Sequence, residues 1–303
     1  MVIDPKRLLE LRRIAEHGSF SRAAEALGIS QPALSKSVSI LERSLGVRIA
    51  ERTRQGSKLT SIGELLLSHA EGLEILLQRA AEQVEQRKKG VSGSLVIGVS
   101  PVASAWLVPQ ALAQLKVQTP DISATILEDA DDELLRQLRT GRIDVVVSPA
   151  GMARDPAEVR SEILTRDRIE VVVRRKHAMS KRRAISLRDL RDAKWVLPSD
   201  HTAMYRHIEA LFAAESEPWP NAIVSTNSIT SLKSLIMRSD YVSISSTVLM
   251  QPEIEAGYIV PVSLRAGHTT RDITVRTRSQ PPVSPLVERF IAHLRAAARP
   301  PRT

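Results

Sequence analysis

From Leu8 the apolar positions Leu8, Leu11, Ile14 and Ala15 recur at helical spacing, and the run stops at His17-Gly18, where glycine can take the left-handed conformation that ends a helix. Ser19 or Ser21 caps a second helix over residues 22–27, with Glu25 placed to bias its first turn. Gly28 supplies a tight turn. Ser30 then caps a third helix, with Pro32 in its first turn, where a missing N–H costs nothing. Ala33, Leu34, Val38, Leu41 and Leu45 form one face of that helix, and Gln31, Ser35, Lys36 and Ser39 the other. Two short helices, a glycine turn and a third helix with a small polar outer face predict a helix-turn-helix. After Gly46 two short alternating runs flank Gln55-Gly56-Ser57, which predicts a β-hairpin wing.

From Ser61 to about Lys89 no proline occurs and Gly72 is the one late glycine before Gly90. Ile62, Leu66, His69, Leu73, Leu76, Ala80 and Gln83 mark an a/d-like seam, widened by Leu65, Leu77 and Val84. A rod so apolar on one side needs a partner: its twin in a dimer, or the C-terminal part of its own chain. Arg87-Lys88-Lys89-Gly90-Val91-Ser92-Gly93 reads as a charged hinge. Beyond it the pattern alternates strand and helix. Strands are expected at 95–99, 122–127, 144–148, 169–173, 195–197, 222–224, 241–244 and 273–277, with helices between several of them and a last one over 285–297. The run at 169–173 looks like a crossover out of a first lobe, and 273–277 a return to it. This alternation predicts an α/β fold with two doubly wound parallel sheets and a cleft between lobes. The expected domains are residues 1–60, a connecting helix 61–90, and residues 91–303, with lobe I at about 91–165 and 266–303 and lobe II at about 166–265.

Charge sharpens the reading of the N-terminal part. The net charge is +9, and Arg7, Arg12, Arg13, Arg22, Lys36, Arg43, Arg48, Arg52, Arg54 and Lys58 fall in the first sixty residues. Aromatic residues make up 3% of the chain, too few for a platform that stacks single-stranded bases. Duplex DNA gripped by its phosphates is the better match, with Arg22, Arg52, Arg54 and Lys58 as phosphate contacts. A helix entering the major groove needs leading residues that are small or can hydrogen-bond base edges, which Ser30, Gln31, Pro32, Ala33, Ser35 and Lys36 satisfy.

In open α/β sheets a ligand lies beyond the carboxyl ends of the strands. That rule selects Ser100, Pro101 and Val102, Glu128, Ser148, His201 and Thr202, Asn227, Ser245 and Thr247. Hydroxyls and helix-start N–H groups suit a small organic anion or a polyol, although each Ser or Thr is also a natural helix cap. Enzyme chemistry finds no support. The seven histidines show no HExxH-type spacing, His201 and His207 do not share a helix face, and no GxSxG, P-loop or dinucleotide fingerprint is present. The acidic run 128–133 opens a helix, where carboxylates are favoured without a metal. No cofactor is expected. With no cysteine, no leader-like N-terminus and no apolar run of membrane-spanning length, a cytoplasmic protein with no membrane partner is expected.

The run from Gly18 to Ser35, GSFSRAAEALGISQPALS, resembles the N-terminal signature of LysR-type transcriptional regulators, and Gly46-Val47, Arg52, Leu59-Thr60 and Gly63 are similar to that family's wing. Ala50 departs from it, standing where the family usually has phenylalanine. Residues 100–109 and 238–241 look closer to the branch that includes the protocatechuate, toluenesulfonate and galactose-binding-protein regulators, although Ser239-Asp240 replaces the common glycine-rich turn. The resemblance implies a winged helix-turn-helix, a linker helix and a two-lobed, periplasmic-binding-protein-like effector domain. It also implies pairing through the linker helix into a homodimer or homotetramer, promoter DNA and a small-molecule effector as partners, and RNA polymerase as a further candidate partner.

Overall fold

Asp4 starts the first helix by accepting a hydrogen bond from the Lys6 amide at 3.0 Å, with Pro5 in the first turn. The computed structural model describes residues 3–53, 56–88, 92–151, 155–200, 202–221, 223–265 and 269–298. α1 (Pro5–His17) ends on Gly18 at φ 65°. α2 (Phe20–Ala26) is capped by Ser19 and so starts earlier than the sequence pattern suggests, leaving Glu25 in its last turn rather than its first. α3 (Gln31–Leu45) is capped by Ser30, whose hydroxyl accepts from the Ala33 amide at 3.3 Å. β1 (Ala50–Thr53) and β2 (Gly56–Leu59) pair antiparallel, and the Ser57 amide donates to the Gly18 carbonyl at 3.1 Å, tying this hairpin to the α1–α2 turn.

α4 (Ser61–Lys88) is a helix of 28 residues, about 42 Å long at 1.5 Å per residue. Its first half belongs to the core of the N-terminal unit, where Leu66 and Ala70 are buried with Leu11, Ile14, Leu34, Leu41 and Ile49. Leu73 packs against the same core, and Glu74 pairs with Arg12 and Arg13 of α1. Part of the expected a/d seam is therefore used within the chain: Leu66 and Leu73 cover α1. Leu65, Leu76, Leu77 and Val84 remain more than half exposed.

The chain divides into two compact units, the second beginning at Ser92. In the second, β3 (Gly93–Val99), α5 (Pro101–Ala105), α6 (Leu107–Gln118), β4 (Ile122–Glu128), α7 (Asp131–Arg139) and β5 (Val145–Pro149) come first. β6 (Val159–Arg174), β7 (Ala184–Ile185), β8 (Lys194–Pro198), α8 (Ala203–Ala214), β9 (Ile223–Thr226), α9 (Ile229–Arg238) and β10 (Tyr241–Ser246) follow. α10 (Gln251–Glu255), β11 (Ile259–Leu264), β12 (Thr270–Arg278) and α11 (Pro285–Ala297) complete it. The strands join in the order β4-β3-β5-β12-β6-β10-β8-β9, with β11 on β6 and β7 on β11.

The parallel pairs expected from βα alternation are present: β3 with β4 and β5, β8 with β9 and β10. Two separate parallel sheets are not. β6 is a 16-residue strand that runs antiparallel to β12 over Val159–Arg168 and then to β10 and β11 over Ile169–Arg174. Only its second half forms an apolar run in the sequence. In the first half exposed Arg160, Ser161 and Glu162 alternate poorly and give no strand signal. β12 returns beside it. Two strands thus join two lobes, one packed around Val99, Leu107, Val147, Ile273 and Phe290, the other around Val171, Trp195, Leu197, Phe212 and Ile244.

Candidate functional site

Two surfaces hold the candidate residues, one in each unit. In the first, Leu34, Val38 and Leu41 bury one face of α3, and the opposite face presents Pro32, Lys36 and Ser39 to solvent; Ala33, expected on the apolar face, is exposed instead, and Gln31 and Ser35 are half-buried. Gln31 Nε2 donates to Ser35 Oγ at 2.9 Å, one turn on, which holds both polar groups together near the start of the helix. Glu42, the single acid between Gln31 and Arg43, accepts from the Ile49 amide at 2.9 Å and so fixes the entry to the hairpin instead of facing outward. Arg22 is exposed, with its Nε 3.4 Å from Ser19 Oγ, and Lys58 is exposed on β2. Arg52 lies in β1 opposite Ser57; its side chain, and the whole of Arg54, lie outside the described residues. Exposed cations therefore flank a small, polar helix face.

In the second unit a cavity of about 360 Å³ opens between the lobes, a size that suits a small molecule. Ser100, Pro101, Val102, Glu128 and Ser148 line it from one lobe, and Thr202, Asn227 and Ser245 from the other. Thr202 is also a helix cap, accepting from the Tyr205 amide at 3.2 Å and donating to the Ser199 carbonyl at 2.8 Å. Ser100 differs: it precedes α5 without capping it, and its Oγ is buried with no hydrogen-bond partner. Thr247 does not line the cavity. Its amide and hydroxyl both turn to the Arg168 carbonyl, and Ser246 takes the place beside Ser245. His201 lies outside the described residues.

Residues 6–64 match the bacterial regulatory helix-turn-helix protein, lysR family, and residues 88–299 match the LysR substrate binding domain. The chain belongs to the LysR family. It is a DNA-binding transcription regulator with an effector-binding domain, not an enzyme. Among similar proteins, the HTH-type transcriptional regulator GbpR of Azospirillum brasilense is 28% identical, over 93% of this chain and 83% of that one. The SDS degradation transcriptional activation protein of a Pseudomonas species is 29% identical, over 87% of this chain and 86% of that one. The fold is that of full-length CbnR complexed with its target DNA, at a TM-score of 0.63 and 22% identity over 97% of this chain and 100% of that one.

Behind the cleft of this LysR-type regulator lies a buried ionic cluster that the sequence does not announce. Arg276 is 1% exposed, and its Nη1 donates to Asp131 Oδ1 at 2.8 Å and to Ser148 Oγ at 3.2 Å. Ser148 in turn donates to the same Asp131 oxygen at 2.7 Å, and Asp155 lies 3.2 Å from the Arg276 Nε. A cation this deep is tolerable only when paired, and here it has carboxylates on two sides. Arg271 lines the cleft as well and is held by Asp167. Both arginines sit on β12, whose antiparallel pairing sets Ile273 opposite Pro149 and so brings its beginning to the carboxyl end of β5. A search confined to the ends of parallel strands passes over them. The acidic run 128–133 is dispersed, with Asp131 on Arg276, Glu133 on Arg136 and Asp129 on the Ala130 amide. Among the described residues no helix is long and apolar enough to cross a membrane.

Proposed function

We propose that α3 is the recognition helix, led into the major groove by Ser30, Pro32 and Ala33, with Gln31, Ser35 and Lys36 at or near base edges. Arg22, Arg52, Arg54 and Lys58 hold the flanking phosphates. The observation that carries this reading is the outward face of α3, free of exposed acids from Gln31 to Arg43 and bordered by exposed cations. Residues 1–60 serve as the DNA-reading head, 61–90 as the pairing helix and 91–303 as the effector domain, in a cytoplasmic homodimer or homotetramer. The uncovered leucines of α4 support pairing, because a row of exposed Leu65, Leu76 and Leu77 loses its contact with water when two such helices meet. The effector is a small organic anion bound in the 360 Å³ cleft lined by Ser100, Ser148, Thr202, Asn227 and Ser245, with Ser148 and Thr202 shaping the wall, since their hydroxyl protons go to Asp131 and the Ser199 carbonyl. It acts by preferring one arrangement of the assembly over another, which changes the spacing of the heads and RNA polymerase's access to the promoter.

Fluorescence anisotropy with duplex DNA from upstream of the protein's own gene tests the DNA-reading part. Binding is expected to weaken steeply and log-linearly with salt. Affinity that ignores salt, or no binding at low salt, overturns it.

A further inference from the structure

The charges on the cleft wall are unevenly committed. Arg271 is the one cation among the described lining residues, with 13% of its side chain exposed. Its Nε and Nη2 each lie 2.9 Å from Asp167 Oδ2, and the buried Asp167 is held in turn by the Ser246 hydroxyl at 2.6 Å. Nη1 has no partner among the described residues, so the guanidinium is fixed along one edge and open at the other. An arginine held this way is pre-organised for an anion.

At the other end of the same wall, exposed Glu128 has no partner among the described residues, and Asp129 takes only the Ala130 amide at 2.8 Å. Neither carboxylate has a cation, since Arg276 is consumed by Asp131 and Asp155. The order β4-β3-β5-β12 puts three strand spacings, about 14 Å at the backbone, between the strands that carry Glu128 and Arg271. The buried, unpartnered Ser100 hydroxyl belongs to β3's end, between the two poles.

We infer that the effector is bipolar, with an anionic group on the open edge of Arg271 and a protonated amine against Glu128 and Asp129, as in an ω-amino acid whose charged ends are separated by several carbons. This deepens the anionic-effector reading and rests on it. A plain acid would satisfy Arg271 and leave the neighbouring carboxylates of Glu128 and Asp129, side by side at the other end of the cleft wall, without a cation.

Calorimetry and thermal shift on the full-length protein, using matched triads, test the inference. Each triad is an unbranched ω-amino acid from 4-aminobutyrate upward in length, the acid lacking its amino group, and the amine lacking its carboxylate; 6-aminohexanoate, hexanoate and pentylamine are an example. In at least one triad the zwitterion is expected to bind tenfold or more tightly than either single-pole analogue. The Glu128→Gln/Asp129→Asn double variant should shrink its advantage over the acid to threefold or less without weakening the acid. Arg271→Lys, which keeps a cation beside Asp167, should weaken zwitterion and acid but not amine. Acids that bind as well as their zwitterions, or a gap that survives the double variant, overturn the bipolar effector and leave the anionic cleft standing. Silence from every triad overturns both.

Discussion

Gly63 shows how much one missing methyl group can decide. A Cβ there would stand 2.1 Å from the Ile49 carbonyl oxygen, which is backbone and cannot swing aside. The Thr60 amide donates to that same oxygen at 3.1 Å, and Thr60 Oγ1 accepts from the Gly63 amide, so hairpin and helix are knotted at this point. Gly63→Ala is expected to cost at least about 1–3 kcal/mol, seen as a lower melting temperature and weakened DNA binding. Arg276 is the matching case in the effector domain. Asp131→Asn leaves a buried guanidinium short of a charge partner, and such losses run to about 3–5 kcal/mol. An Arg276→Met/Asp131→Leu/Asp155→Leu triple variant, which removes every charge in the cluster, should melt closer to the parent than Asp131→Asn does. If the single variant melts with the parent, the cluster does not stabilise the lobe.

Among the elements, α4 is the one whose sequence speaks for two jobs at once. Its heptad-like leucines look like one seam, but the helix divides them, giving Leu66, Ala70 and Leu73 to the head and leaving Leu76, Leu77 and Val84 outside. Leu76→Asp/Leu77→Asp is therefore expected to lower the sedimenting mass while leaving the helical content of the head intact; Leu66→Asp should unfold the head instead. The helix-turn-helix was legible because its caps, glycine turns and apolar spacing are local. α11 was legible to the residue for the same reason, starting behind a Ser cap. The first half of β6 was not, because its partner β12 lies about a hundred residues away and one of its faces meets water. The hydroxyl side of the cleft could be read from strand ends. Arg271, Arg276 and Asp167 could not, since their roles depend on which strands lie antiparallel.

At the scale of the molecule, the four cations proposed to hold phosphates on each head, Arg22, Arg52, Arg54 and Lys58, set a measurable number. Two heads give a slope of log affinity against log salt of about −7, and Lys58→Ala should reduce it by about two in a dimer. A slope unchanged in Lys58→Ala would remove that residue from the phosphate contacts. The two strands that join the lobes carry a different consequence, for the order in which the protein is made. Lobe II is built from one continuous stretch of chain, but lobe I needs Ile273 and Val275 of β12 and Val287, Phe290 and Leu294 of α11 to close its core. On the ribosome, the half that is translated first must wait, its apolar sheet face uncovered, while the later half folds. Nascent chains stopped before Pro285 should accordingly hold a protease-resistant lobe II beside a lobe I still open to cleavage and to chaperones.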